Sequence, residues 1–417
     1  MIDKIMTSES RKHIERADEK KLGILSIVTF LFGFAGALLS YVLSDYFMTS
    51  LGYSNVSLFY FSAYAASLVM ILNLHRFMNK FGRSTIFFVF YFLQICFVAF
   101  LTLVEPSISG AIILVCYIIS MTLSWASLDV IVESYSEDKK SGRIRGLHLT
   151  IMNIGIFLGP FVSTRILTHY DFKGLFFAAM LVHMGIFLFM LVKLRRINNS
   201  KFEQKITVRD LFKKILVNRN VMKIYSIALL LDFFYALTVI YVPLFLLDNG
   251  FSWDRIGIIF TIMLIPFIIL QYPLGLLADK KYGEKEMLIM GIIIMGISSA
   301  CIFFITSKEI WVWGTILFIT RIGAAIIEIM RDSYFYKKID ARDVDIIGFF
   351  RTAGSVGYIL AAATSAVLLL VLPMKYVFLL LAGVVLCGLY PAIKLVDNKC
   401  EAEMKKRTKK ISYGLSN

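Results

Sequence analysis

The chain is predicted to be an all-α integral membrane protein of about twelve transmembrane helices arranged as two six-helix pseudo-repeats. Three observations predict it. Apolar stretches of roughly 20 residues recur along the 417 residues, separated by short charged loops, and about 20 residues of α-helix cross the hydrocarbon of a bilayer. Hydrophobic residues make up 58% of the chain, with a mean hydropathy of +0.75, where a soluble domain is roughly 45–50% apolar. Matching polar turns recur at corresponding places in the two halves. Hydrocarbon offers the backbone no hydrogen-bond partner, so stretches this long must be helices, and the alternating ten-residue pattern of a membrane β-barrel is absent.

The elements follow in order. Residues 1–21 are polar and mixed in charge, a cytoplasmic N-terminal segment. No cleavage-site pattern follows, and the first apolar stretch is too long for a signal peptide. Apolar stretches at 22–46, 57–75, 84–104, 109–134, 147–168 and 174–195 form an N-terminal bundle, 22–195. A polar, basic linker, 196–222, separates the halves; Val208, Leu211 and Phe212 share one face of an amphipathic helix there. Stretches at 223–247, 255–277, 286–306, 309–332, 346–371 and 374–396 form a C-terminal bundle, 223–396, and 397–417 is a cytoplasmic basic tail.

The net charge of +15 does not indicate nucleic acid, because it is segregated by topology. Basic residues fill alternate loops: Arg76, Lys80 and Arg83; Lys139, Lys140, Arg143 and Arg145; the run from Lys193 to Lys223; Lys280, Lys281 and Lys285; Lys337, Lys338 and Arg342. The other loops hold Arg165, Lys173, Arg255, Lys308 and Lys375. The positive-inside rule makes the basic side and both termini cytoplasmic and the surrounding lipid that of the cell membrane. Cys96, Cys116, Cys301 and Cys387 lie within spans without metal spacing and read as small core hydrophobes. No metal and no cofactor is expected.

The halves repeat at an offset of about 202 positions. The turn after the second span carries His75, Asn79, Lys80, Gly82 and Arg83; the turn after the eighth carries Gly275, Asp279, Lys280, Gly283 and Lys285. The fifth span opens with Gly146 and Thr150 and continues to Gly155; the eleventh opens with Gly348 and Thr352 and continues to Gly357. These residues resemble the major facilitator superfamily of secondary transporters, whose motif Gly-x-x-x-Asp-(Arg/Lys)-x-Gly-x-(Arg/Lys)-(Arg/Lys) follows the second span and, more weakly, the eighth. The second copy is the better here. The first has His75 and Asn79 where Gly and Asp are expected, so either the family's cytoplasmic lock is lost in this half or Glu133 takes it over. Gly155, Gly159 and Pro160 match the front half of the family's antiporter motif in the fifth span, while Ser163 and Thr164 replace its final glycines. The resemblance implies a cavity lined by the first, fourth, seventh and tenth spans.

A charge inside a span costs several kcal/mol and is by default a functional candidate. Asp232 lies about 14 Å into the seventh span and Arg321 is near the middle of the tenth. They are expected to share a water-filled space, Asp232 as proton or cation site and Arg321 as its partner or as a substrate anchor; a structural ion pair is the alternative. Asp129 and Glu133 share one face of the fourth span, and Glu328 and Asp332 repeat the spacing in the tenth. With Arg145, Arg331 and Arg351 they are expected to form a cytoplasmic gate, with Asp129 near enough to join proton transfer. Ser40, Tyr41 and Ser44, and Tyr235 and Tyr241, are candidate cavity residues. His183 reads as a hydrogen-bonded packing residue.

The expected function is a secondary active transporter that moves a small molecule by alternating access, proton-coupled, and an exporter of amphipathic or cationic compounds on the strength of the antiporter-like residues. A metabolite symporter or uniporter and a non-transporting sensor with a transporter fold are the alternatives. No phosphate-binding loop, HExxH or GxSxG occurs, so neither ATP hydrolysis nor an enzymatic role is indicated. Expected partners are membrane lipid, a small-molecule substrate and protons, with no nucleic acid and a monomer as the working unit.

Overall fold

A computed structural model describes residues 8–53, 55–133, 141–193, 219–277, 283–338 and 344–396. The linker helix expected at Val208, Leu211 and Phe212, motif residues Asp279 and Lys280, the tail 397–417, and the side chains of Glu133 and Arg145 lie outside the description. The first half comprises α1 (Ser8–Ser40), α2 (Leu43–Leu51), α3 (Ser57–Phe81), α4 (Arg83–Leu101), α5 (Ile108–Glu133) and α6 (Ser141–Lys193). The second comprises α7 (Arg219–Asp248), α8 (Trp253–Ile269), α9 (Gln271–Leu277), α10 (Glu284–Ile302), α11 (Ile310–Lys338), α12 (Val344–Leu368), α13 (Tyr376–Cys387) and α14 (Leu389–Ile393). Ten stretches among the described residues are long and apolar enough to cross a membrane. One of them, Thr150–Lys193, is 44 residues long, twice what a bilayer requires. It divides at Asp171, whose φ of 57° and ψ of −169° interrupt the helix. That division together with α12 makes twelve crossings, as expected. Helix also extends back to Ser8, into the segment expected to be a lead before residue 22.

The breaks within spans have local causes. Pro273 has no N–H for the Ile269 carbonyl and its ring crowds that group, so α8 stops at Ile269 and α9 begins at Gln271. Pro391 stands in the same relation to Cys387, the last residue of α13. In the first span the break follows Ser40, whose hydroxyl bonds back to the Gly36 carbonyl at 2.7 Å, a contact that bends helices.

Glycine sets close helix crossings, and one of them recurs in both halves. A Cβ on Gly155 would collide with the carbonyl oxygen of Phe30, so α6 lies directly on the backbone of α1. A Cβ on Gly357 would stand 2.8 Å from Asp232 Cβ and 2.9 Å from Phe233 N, so α12 lies on α7 in the same way. Both members of each contact are displaced by 202 positions, so one crossing is used in both halves. Gly159 repeats the close approach one turn along, against Ala37. The turns between the second and third and the eighth and ninth spans also match: Gly82 has φ 90° and Gly283 has φ 73°, a region that side chains avoid.

Large apolar side chains such as Phe304, Trp311 and Val192 point outward, where lipid would cover them. Cys301 and Cys387 are also exposed and Cys96 and Cys116 half-buried, which corrects the expectation that they fill the core. Small side chains on lipid-facing strips satisfy hydropathy as well as core positions do. His183 is buried, with Nδ1 3.0 Å from the Tyr91 hydroxyl, the packing role expected of it.

The two halves meet along α3 against α12 and along α6 against α8, while the first and seventh spans touch through α2. Gly155→Val and Gly357→Val should each lower stability by about 1–3 kcal/mol through forced separation of the crossing helices. Gly185→Ala, at a helix position with open space around it, should be neutral or stabilising by up to about 1 kcal/mol. Thermal unfolding of the purified protein in detergent separates the two classes.

Candidate functional site

The seam between the halves encloses a cavity of about 370 Å³. The first half contributes Gly33, Gly36, Ala37, Ser40 and Tyr41 from the first span, Met121 and Trp125 from α5, and Met152, Asn153 and Ile156 from α6. The second contributes Asp232, Tyr235 and Val239 from α7, Leu264 and Phe267 from α8, Arg321 and Glu328 from α11, and Tyr358 from α12. The first, fourth, seventh and tenth spans therefore line the space, and the fifth, eighth and eleventh join them. The glycines of α1 leave room in the wall, and Pro160 leaves the Ile156 carbonyl without its helical partner beside the cavity.

Asp232 and Arg321 share this cavity, but they do not pair. The guanidinium of Arg331 is the partner of Asp232, with Nη1 3.7 Å from Oδ2, and its Nε also contacts Asp332 at 3.0 Å. The reason is geometric: Arg321 and Arg331 are ten residues apart on α11, about 15 Å along the axis, and one aspartate cannot span that. Glu328, expected among the gate residues, lines the cavity. It shares the cavity-facing side of α11 with Arg321, two turns away, and its Oε2 accepts a hydrogen bond from Gln271 Nε2 at 2.6 Å. Gln271 Oε1 in turn accepts one from Asn153 Nδ2 at 3.0 Å. This relay crosses from one half to the other. Asn153, Gln271, Trp125 and Tyr358 were not singled out by sequence reasoning, although isolated amides in the middle of apolar spans are a signal of the same kind as isolated charges; Arg331 was expected at the gate rather than as the partner of Asp232.

Arg321 is 1% exposed. Its Nη2 donates to Thr238 Oγ1 at 3.1 Å, and its Cζ lies 4.7 Å from the centre of the Phe234 ring and 5.8 Å from that of Tyr235. Nη1 has no hydrogen-bond partner, and neither does the buried hydroxyl of Tyr235. Tyr41 lines the wall as expected, while Ser44 turns away to Tyr60 at 3.0 Å.

The ends of the cavity differ. At the end away from the basic loops, Ser57 and Tyr241 are hydrogen-bonded, and the Tyr241 hydroxyl donates to Ser365 at 3.1 Å. Asn55 Nδ2 donates to the Ala366 carbonyl at 3.2 Å, and Trp253 Nε1 to Asp45 Oδ2 at 3.2 Å. Deeper in, Tyr64 and Tyr358 stack with ring centres 4.0 Å apart. All but the Tyr241–Ser365 pair cross between halves, Ser57 also reaching Ser365 at 3.1 Å, and Ser57, Tyr241 and Ser365 are fully buried, so this end is closed. At the basic end Arg351 Nε approaches Asp129 Oδ2 at 3.6 Å, with the aspartate side chain 44% exposed. Asp129 and Arg351 thus form the inter-half ion pair expected of a gate. Of the first motif copy, Gly82 makes the turn, Asn79 is half-buried, Lys80 is exposed over the Phe81 ring, and Arg83 is buried. Of the second, Gly275 packs near Ile329 and Gly283 makes the turn. The neighbouring Glu284 is buried, accepting from Lys337 Nζ at 2.6 Å and Ser333 Oγ at 3.1 Å. That contact joins α10 to α11 inside the second half.

A two-half bundle around a central cavity is a common transporter plan, and the family model for the Major Facilitator Superfamily matches residues 25–343 and again 248–412. The chain belongs to the Major Facilitator Superfamily. Solved structures similar in fold include the POT family transporter PepTSo, with a TM-score of 0.67 at 13% identity, covering 90% of this chain and 97% of that one. The nucleoside transporter NupG aligns with a TM-score of 0.69 at 16% identity, over 90% and 99% of the two chains. An auto-inhibited POT family peptide transporter gives 0.71 at 11% identity, over 91% and 98%. No curated protein matches the chain. Identities this low speak for the fold alone. Membership makes the chain a multi-pass membrane protein of transporter type, in contact with lipid.

An ion pair this exposed is worth at most about 1 kcal/mol, a factor of about five in a conformational equilibrium. The pair is present while the opposite end is closed, so Asp129→Asn should slow labelling of a cysteine placed at Ser40 by up to about fivefold, using a membrane-impermeant thiol reagent applied from the basic side of a chain lacking its native cysteines. Exchanging the charges, Asp129→Arg with Arg351→Asp, should restore the faster rate.

Proposed function

We propose that this superfamily member is a proton-coupled secondary transporter of a small molecule, working as a monomer by alternating access. The observation that carries the reading is the charge balance at the seam. Asp232, Asp332 and Glu328 gather on α7 and on one side of α11, and Arg331 is the guanidinium in contact with two of them. One positive charge leaves the group negative, in a region where water is scarce and net charge costs several kcal/mol. Protons loaded on Asp232 and Glu328 neutralise it, and a change of partner as the halves rock releases them. Asp232 is well placed for that task because its Cβ lies at the Gly357 crossing, where any rotation of α12 on α7 displaces the carboxylate.

The positive-inside reading puts the basic end in the cytoplasm, so the closed end faces outward and this conformation faces the cell interior. The Asp129–Arg351 pair and the Asn153–Gln271–Glu328 relay are the contacts that must change when the inner end closes. Gly155 and Gly159 serve a helix crossing inside one half, with a counterpart at Gly357, and so assign no direction of transport.

The test uses proteoliposomes with an imposed pH gradient and a defined mixture of organic acids, amino acids and nucleosides, read by mass spectrometry. At least one compound should accumulate against its gradient, and accumulation should collapse with an uncoupler. Asp232→Asn should lower the pH-driven component at least tenfold while leaving exchange at equal pH measurable. Accumulation indifferent to both the uncoupler and the substitution overturns the proton-coupled reading.

A further inference from the structure

Among the described residues, Arg321 is a buried charge at the seam that the proton reading does not use. It is 1% exposed, and its neighbours among the described residues are the hydroxyls of Thr238 and Tyr41 and the faces of Phe234 and Tyr235, all uncharged side chains. Nη1 makes no hydrogen bond, and the residue lines the cavity. A guanidinium presents five N–H donors in a planar fork that matches a carboxylate or phosphate two bonds at a time. In this site Thr238 occupies the Nη2 side and Phe234 supports one face, while Nη1 is buried without a hydrogen-bond partner, as is the hydroxyl of the neighbouring Tyr235. A cation enclosed in a low-dielectric wall without a counter-ion is a site built for an anion that arrives from outside.

The rest of the wall limits what carries that anion. Trp125, Met121, Leu264 and Phe267 present apolar surface across the cavity, and 370 Å³ suits a small organic molecule rather than a bare ion. Glu328 lies seven residues along α11, about 10 Å away on the same side, and would repel a second negative group.

We infer that Arg321, with Tyr235 beside it, is the anchor for the single anionic group of an organic substrate whose apolar body lies against Trp125 and Phe267. The inference rests on the transporter reading above. It reverses the sign of charge that the antiporter-like residues suggested, while keeping the amphipathic character. Thr238 is a positioning residue, holding the fork through Nη2 and leaving Nη1 without a partner.

The probe is dansylglycine, an aromatic carboxylate whose fluorescence rises on leaving water, titrated into the purified protein in nanodiscs; its neutral amide, dansylglycinamide, is the comparison. The wild type should bind the acid saturably and at least about tenfold more tightly than the amide, since the charged hydrogen bond is what separates them. Arg321→Gln should bring the two affinities together by weakening the acid alone. Arg321→Lys should keep part of the preference, a point charge without the fork. Thr238→Val, which leaves the guanidinium in place, should reduce the acid's advantage severalfold, and this milder variant stands in if Arg321→Gln does not elute as folded protein. Equal binding of acid and amide, a preference that survives in the Arg321 and Thr238 variants, or no saturable binding of the acid each overturns the inference. The titration needs no gradient, so the two readings fail separately: acid preference without pH-driven accumulation leaves the anion site standing and removes proton-coupled transport, and accumulation without acid preference does the reverse.

Discussion

A charge or amide inside a bilayer has no water to solvate it, and every polar group in the middle of this protein must find its partner in another helix. That constraint organises the molecule. The charged and amide side chains in the cavity wall, Asp232, Arg321, Glu328 and Asn153, and Gln271 bonded between the last two, lie at the seam between the two halves. The seam is thus the polar interior of an otherwise apolar body, and its polar contacts are what differ between one end and the other.

The halves can act as units because each is held by backbone-to-backbone contact. Gly155 on Phe30 and Gly357 on Asp232 and Phe233 bring paired helices as close as main chains allow. Such contacts have steep repulsion on one side and many small attractions on the other, so they resist sliding better than long side chains do. Between the halves the contacts include many of another kind: side-chain hydrogen bonds, aromatic contacts and an exposed ion pair. These are individually weak and exchangeable. Rigid halves joined by a replaceable interface are what a cavity needs if it is to open on alternate sides.

Asp232 belongs to both systems. Its backbone lies at the tight crossing of α7 with α12, and its carboxylate reaches Arg331 on α11. Phe30, its counterpart in the first half, has the same crossing and no charge. The fold repeats but the chemistry does not, and the second half holds Asp232, Glu328, Arg321 and Arg331, whereas the first contributes mainly walls and Asp129, the ion-pair partner at the basic end.

Much of this was legible in the residues alone. Runs of about 20 apolar residues dictate spans because length and backbone satisfaction depend on nothing beyond the run itself. Recurring turns around Gly82 and Gly283, and the matched positions of Gly155 and Gly357, showed the repeat, since a glycine needed for close approach recurs wherever the crossing does. Isolated charges marked Asp232, Arg321, Asp129 and Arg351 as seam residues. Partnership was decided only in three dimensions: Asp232 with Arg331, Glu328 with Gln271, and Arg321 with a hydroxyl and two rings. In a helix that is apolar all round, periodicity carries no information about which side faces the cavity. The rotation of each helix, and so the identity of each neighbour, comes from packing between elements far apart in the chain.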